Sequence, residues 1–443
     1  MKIIIAGAGE VGTHLAKMLS NEEQDITVID DNELKLDPLV DYNLMVQQSS
    51  ATSISSLEAL GIHKVDLFIA VTPHENTNLI ACSMAKRLGA KKCVARIDNY
   101  EFMLDESRDF FRILGIDDLI YPEYLAAREI ATALKHTWVR NWFELFDGEL
   151  IVAAVKLRDN SELVGKPLSQ VGAINGFMHV SAIKRYRETI IPGGSDVIHA
   201  GDIVYIATTH EHVQEVIDMC GKNPVKVDKL MIMGGSPIGI QLARRLQDKM
   251  TIKIIEKDYD RCQLLAAKLP ECNIVHGDAT DTSLLHEEGI ADYDAFAALT
   301  SSSEANILSC LIAKDQGVRK TIAEVESMQF ISQAESLNIG TIINKKLLAS
   351  SNIFQILLDS DVNNSRCLAL ADAEVAEFIL PEGSKACKAP VKNLRLPDGM
   401  TIAGVVRNYE GMLVKGDTQL LPGDHVVAFC LSGAFHKVEK YFG

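Results

Sequence analysis

Apolar residues in this 443-residue chain come in short runs that end in small or acidic residues, and the same order of runs occurs twice. Lys2–Ala6 leads into Gly7-Ala8-Gly9-Glu10-Val11-Gly12, after which Val11, Leu15, Met18 and Leu19 fall at helical spacing. That pattern predicts strand, turn and helix. The second turn, Gly234-Gly235-Ser236-Pro237-Ile238-Gly239, begins 227 positions after the first. Each turn is followed by a strand ending in acid, ITVID to Asp30 and TIKIIE to Glu256. MVQQSSATS (Met45–Ser53) then answers IVHGDATD (Ile274–Asp281), and LFIAVT answers AFAALT, so that Thr52 matches Thr280 and Thr72 matches Thr300 at an offset of 228. Asn78 and Asn306 keep that offset, as do helices ending in AKRLGA and AKDQGV. Agreement in this order marks an internal duplication.

Between the copies the period changes. Glu149–Leu157 (ELIVAAVKL) alternates like a half-buried strand, and Val197–Thr208 (VIHAGDIVYIAT) reads as strand, Gly-Asp turn, strand, repeated at Gln419–Cys430 (QLLPGDHVVAFC). Gly201-Asp202 and Gly423-Asp424 are turn chemistry, not ligand sites. Tyr121–Leu134 and Lys345–Leu358 are amphipathic. Leu125, Ile130 and Leu134 form either a core stripe or a face packed between paired units. Boundaries are expected near Trp138–Trp142, Gly221–Asp228 and Asp361–Arg366. The resulting domains are 1–120 with a connecting helix to about 138, 139–221, 228–345 with a helix to about 361, and 362–443.

Composition narrows the functional classes. A net charge of −16 argues against nucleic acid or anionic lipid as the main partner, and is compatible with docking onto the Lys/Arg-rich loops of an inner-membrane protein. No run of about 18 apolar residues and no signal peptide is present, so a cytoplasmic protein without a membrane span is expected. Nine scattered cysteines without a CxxC pair read as reduced thiols, and no metal site is expected.

The candidate chemistry lies in the glycine turns. Gly7 permits the tight turn, Gly9 lets a pyrophosphate approach the backbone, and Gly12 lets the helix pack on the strand. Asp30, eighteen residues after Gly12, is placed to bond a ribose diol. It favours NAD(H) or adenosine nucleotides over NADP(H), and leaves NADH and ATP unseparated. A Walker A loop is absent, since Gly165-Lys166 and Gly221-Lys222 are followed by Pro167 and Asn223. The copies differ in complementary ways. Ser236 stands for the middle glycine of the second turn, while Gly277-Asp278-Ala279-Thr280 becomes Ser49-Ser50-Ala51-Thr52 in the first half. Stronger dinucleotide binding is therefore expected in the first cleft. Arg96, able to neutralise a pyrophosphate or form a surface ion pair, has Glu324 as its counterpart.

GAGEVG, ITVID, FIAVT, CSMAKRLGA, VARIDN and IDDLIYPE, repeated in degenerate form after Lys229, resemble the TrkA family of Trk-type potassium-uptake regulatory subunits, built from two regulator-of-potassium-conductance (RCK) units. The resemblance covers essentially the whole chain. It implies an α/β fold of two tandem Rossmann-like doubly wound parallel-sheet domains, each followed by a small α/β domain of RCK C-terminal type. It also implies a homo-oligomeric, tetrameric gating ring, peripheral at the inner face of the membrane beneath a Trk-type potassium channel or transporter, that responds to NAD (NADH/NAD+) or ATP/ADP. By carry-over, Gly7, Ala8, Gly9, Glu10, Val11, Gly12, Asp30, Thr52, Thr72, Pro73 and Arg96 line the first site. Gly234, Gly235, Ser236, Pro237, Ile238, Gly239, Glu256, Asp278, Ala279 and Thr300 line the second.

The rival reading is an NAD-dependent oxidoreductase. Hydride transfer needs a general acid or base against the nicotinamide, and His74, whose counterpart is Ser302, belongs to no His/Asp or His/Glu pattern. A DNA-binding redox sensor would need a basic recognition helix, which the acidic balance opposes.

Overall fold

The computed structural model describes residues 1–20, 24–174, 176–186, 188–358, 366–370, 373–431 and 441–442. In chain order, β1 (Lys2–Ala6), β2 (Asp25–Asp30), β3 (Met45–Gln48), β4 (Leu67–Ala70), β5 (Lys92–Arg96) and β6 (Asp118–Ile120) form a parallel sheet of order β3-β2-β1-β4-β5-β6. Its helices are α1 (Glu10–Ser20), α2 (Ile54–Ala59), α3 (Glu75–Arg87), α4 (Asp105–Ile113) and α5 (Pro122–Lys135). The order reverses between β1 and β4, which opens a crevice at the strands' carboxyl ends, where ligands of such sheets sit. Ile3, Ile4, Ile5 and Phe68 are fully buried, as expected of strands covered on both faces.

Next, β7 (Asn141–Leu145), β8 (Leu150–Lys156), β9 (Met178–Arg185), β10 (Glu188–Ile190) and β11 (Ile203–Thr208) form an antiparallel sheet of order β10-β9-β11-β8-β7 with α6 (Leu168–Ile174) and α7 (Val213–Met219).

The second half repeats both. β12 (Lys229–Met233), β13 (Thr251–Glu256), β14 (Asn273–His276), β15 (Ala295–Ala298), β16 (Lys320–Glu324) and β17 (Thr341–Ile343) give β14-β13-β12-β15-β16-β17. The helices are α8 (Pro237–Leu246), α9 (Tyr259–Lys268), α10 (Thr282–Glu287), α11 (Ser303–Asp315), α12 (Met328–Ser336) and α13 (Lys345–Leu358). β18 (Arg366–Leu370), β19 (Ala373–Ile379), β20 (Met400–Arg407), β21 (Glu410–Leu413) and β22 (His425–Leu431) then form a second antiparallel sheet, β18-β19-β22-β20-β21. This is the α/β duplication that the sequence predicts.

The chain divides into two compact units, and each draws on both halves. One is Met1–Ala131 with Asp228–Leu357, the two parallel sheets; the other is Thr132–Val227 with Leu358–Gly443, the two antiparallel sheets.

Within the second unit two local expectations change. β8 is not half-buried. Ile151, Ala153 and Val155 face one core with Trp138 and Trp142, while Leu150, Val152 and Ala154 face another shared with Ala403, Val406, Val427 and Phe429. A strand covered on both faces keeps no polar alternation. At the expected boundary Trp138–Trp142 both indoles are buried and the His136 ring stacks on Trp142 at 3.9 Å. The run before Gly201 is not a strand; Val197 makes only an isolated bridge to Pro167, and β11 starts at Ile203. Asp202 supplies the reason. It accepts the Arg185 guanidinium through both oxygens (3.0 and 2.7 Å) and the His199 N–H, so this stretch is a side-chain-held turn. Asp424 does the same with Arg407 (2.8 and 2.7 Å) and the Leu421 N–H. Of the Asp361–Arg366 boundary, positions 361–365 lie outside the described residues.

Candidate functional site

The first crevice is built on β1, the turn Gly7–Gly12 and α1. Gly7 has φ +113°, and a Cβ there would meet the Thr72 backbone nitrogen at 2.9 Å. A Cβ on Gly12 would lie 1.9 Å from the Gly7 carbonyl oxygen, so helix and turn touch backbone to backbone. Gly9 is different. Nothing lies within 4 Å of its Cβ position, leaving the outer face of the turn clear beside the free N–H groups of the α1 N-terminus. A pyrophosphate fits such a cradle.

Asp30 closes the turn from β2. Its carboxylate accepts the Ala8 N–H at 2.7 Å and the Asn32 N–H at 3.0 Å, and the Lys35 ammonium lies 3.6 Å away. Burial opposes its charge, but the Asn32 and Ala8 donors and Lys35 outweigh that and hold its carboxyl below the usual range. In the second crevice Glu256 accepts the Gly235 N–H at 2.7 Å and the Asp258 N–H at 2.9 Å. Both acids therefore orient the glycine turn.

Opposite the turns, Thr72 and Thr300 are held alike. The Asn78 amide oxygen accepts the Thr72 N–H and hydroxyl (2.9 and 2.7 Å), and its NH2 donates to the carbonyls of Thr72 and Arg96 (3.0 and 2.9 Å). Asn306 repeats every bond with Thr300 and Glu324. The asparagines, noted in the sequence only as a matching pair, pin the crevice wall to the next strand. Their signal was the five-residue gap after each threonine. Pro73 lies exposed beside Thr72.

The second turn departs where a phosphate would sit. Gly234 has φ +95°, and Gly239 packs on it. Ser236 caps α8, its Oγ accepting the Gly239 N–H at 3.3 Å, ahead of Pro237, which is exposed, and Ile238, which is buried. The first turn, with Gly9 at this position, has no side chain to take the corresponding donor. In the second turn, the Arg261 Nε donates to the Gly235 carbonyl at 2.9 Å. Asp278 is bound by Lys257 (2.8 Å) and by the Thr280 hydroxyl and N–H, which bring its pKa down to about 2. Ala279 behind it is buried. At the first site Ser50 takes the place of Asp278, its hydroxyl 3.2 Å from that of Thr52, with no charge.

The ends of the fifth strands differ most. Arg96 is half-buried at the end of β5. Its counterpart Glu324 is 2% exposed, with Lys345 Nζ at 3.3 Å. The same ammonium meets Glu326 at 2.7 Å and Glu123 at 3.6 Å. One lysine cannot balance three carboxylates, and burial pushes the Glu324 carboxyl up to about 7. Beside it, Lys346 bridges Glu326 (2.9 Å) and Glu10, the first residue of α1. The Ser350 hydroxyl reaches the Val11 carbonyl at 3.3 Å. α13 therefore packs on the helix of the first glycine turn. In return Arg244 and Arg245 of α8 lie over the rings of Tyr100 (5.4 Å) and Tyr124 (5.1 Å). Sequence reading missed Lys345, Lys346 and Glu326, because no one-dimensional pattern joins residues so far apart.

Comparison with known proteins places this arrangement. The TrkA-N domain model matches residues 3–122 and 230–345, and the TrkA-C domain model matches 152–221 and 375–443. The chain is 31% identical over 440 residues to the Trk system potassium uptake protein TrkA of Haemophilus influenzae, covering 97% of this chain and 95% of that one. It is 31% identical over 454 residues to the protein of the same name in Vibrio alginolyticus (100% and 98%). Among solved structures, the GsuK RCK domain superposes with a TM-score of 0.60 at 16% identity, covering 100% of this chain and 94% of that chain. The GsuK channel bound to NAD gives 0.60 at 16% identity (100% and 78%), a likeness of fold. With each domain model matched once in each half and relatives aligned from end to end, the chain belongs to the TrkA family.

Proposed function

We propose that this chain is a nucleotide-binding regulatory subunit that gates a Trk-type potassium-uptake system, taking NAD(H) or an adenine nucleotide in the first crevice. The observation that carries the reading is the clear face over Gly9 at the N-terminus of α1, with the Asp30 carboxylate bonded to the Ala8 N–H of the same turn. The names of its relatives supply the process, potassium uptake. Gly7–Val11, Asp30, Thr52, Thr72, Pro73 and Arg96 form the first site. Gly234–Ile238, Glu256, Asp278, Ala279 and Thr300 form a second of weaker or different preference. No helix among the described residues is long and apolar enough to cross a membrane. A homo-oligomer, a tetramer, works at the inner face of the membrane against a separate pore subunit.

The mechanism is binding without bond-making. A nucleotide that fits one ring conformation better than another adds ~1–3 kcal/mol of coupling per site, and several sites together move the ring from mostly closed to mostly open. A ligand that binds both conformations equally changes nothing. The test is calorimetry with NADH, NAD+, ATP and ADP, followed by potassium flux with the chain reconstituted beside a Trk-type pore. Nucleotide-dependent flux is expected. Steady-state NADH oxidation with an added metabolite would instead favour an oxidoreductase.

A further inference from the structure

A continuous row of alternating charges runs from the second half of the chain to the phosphate turn of the first crevice. It starts at Glu324 on the end of β16, passes through Lys345 to Glu326, then through Lys346 to Glu10. Glu10 is the first residue of α1, with 68% of its side chain exposed at the mouth of the site. A carboxylate there satisfies the helix dipole, and it also repels any phosphate drawn to the same N–H groups. Lys346 sits on it. Burial works against the Lys346 charge, but contacts with Glu10 and Glu326 outweigh this and raise its pKa. The second turn has no such device, since Pro237 stands where Glu10 does.

Resting on the reading of the first crevice as a nucleotide site, we propose that Lys346 is a positioning residue for that site: by holding and neutralising Glu10, it lets the second Rossmann half set the affinity of the first phosphate turn for anions of different charge. The Lys345 cluster fixes Lys346 in place. Its partner Glu326 is shared by both lysines, so a rearrangement at the end of β16 is passed to Glu10 through a single carboxylate. The consequence is electrostatic. Losing the Lys346 charge penalises a nucleotide in proportion to its own negative charge.

The experiment is a double-mutant cycle on the full-length protein, reading dissociation constants for ATP and NADH by calorimetry at low and high salt. Lys346→Gln is expected to weaken ATP about tenfold and NADH about threefold, since the triphosphate carries roughly twice the charge. Glu10→Gln alone is expected to tighten ATP, and the double variant to return within about twofold of wild type. The differences should shrink at 0.5 M salt, where charges are screened within ~4–5 Å. Equal weakening of both nucleotides, or a double variant no better than Lys346→Gln, would mean that Lys346 only supports packing and would overturn the proposal. Should Lys346→Gln not fold, the exposed Glu10→Gln decides alone, because unchanged or weaker ATP binding contradicts repulsion by Glu10. A wild-type protein that binds neither nucleotide would sink the reading of the crevice itself, an outcome distinct from binding that ignores Glu10.

Discussion

The two parallel-sheet copies share what holds a crevice together and differ in what would touch a ligand. Both have the tight glycine turn, the acid that accepts a turn N–H at 2.7 Å, and the asparagine clamp with its four bonds. At the third position of the turn one copy is open at Gly9 and the other is capped by Ser236. At the end of the fifth strand one presents Arg96, while the other buries Glu324 under Lys345. Duplication thus left the scaffold intact, while α13 and α8 of the second copy contact Glu10, Val11, Tyr100 and Tyr124 of the first.

The largest expected effect tests the shared scaffold. Gly12→Ala forces a Cβ to 1.9 Å from a backbone oxygen, against 2.7 Å for Gly239→Ala. The first should cost ~4 kcal/mol or more and the second roughly half that, read as loss of stability in urea denaturation. Equal costs would show that the two turns are equally tight. Next, Asn78→Ala and Asn306→Ala each leave several buried backbone groups unpaired and should cost ~2–4 kcal/mol, to similar extents in the two copies. A large inequality would break the claim of a common clamp.

The acid at the end of the second copy's fifth strand, where the first copy has Arg96, gives a distinct pH signature. Glu324 titrates near 7 when folded, against an ordinary value of 4.5. The folded state therefore holds the proton more tightly, and the associated stability is fully present below about pH 4.5 and lost as pH rises through 7. That slope amounts to at most roughly 3 kcal/mol. Urea melts between pH 5 and 8 should show it in the wild type and show it flattened in Glu324→Gln; parallel curves would place the burial of this acid in error. The smallest stability effect, with a large binding effect, belongs to Gly9→Ala. It has room for a methyl, so stability should stay within ~0.5 kcal/mol, while nucleotide affinity falls at least about tenfold. Ser236→Gly should move the second crevice in the opposite direction.

Much of this was legible in the residues because it is local and periodic. Strand, glycine turn and helix follow one another within twenty positions, and their repetition at a fixed offset identifies the duplicated fold without any long-range information. Asp30 and Glu256 were legible for the same reason, each standing at the end of an apolar run. ELIVAAVKL misled because burial of its second face depends on another sheet, whose residues Ala403, Val406, Val427 and Phe429 lie far along the chain. Glu324 was legible only as the charge-reversed counterpart of Arg96; its burial beside Lys345 of α13 shows only in three dimensions.

What the sequence determined alone is therefore the architecture of each copy and the place of its crevice, since hydrophobic period and backbone-permissive glycines act over short distances. What tertiary structure decided is the use of those crevices. Whether Glu10 stands free or is held by Lys346 depends on the docking of one half against the other, and Glu324 is buried beside Lys345 of α13, which follows it in the same half. Electrostatic interaction is set by distance and solvent exposure, and neither is written in the order of the residues.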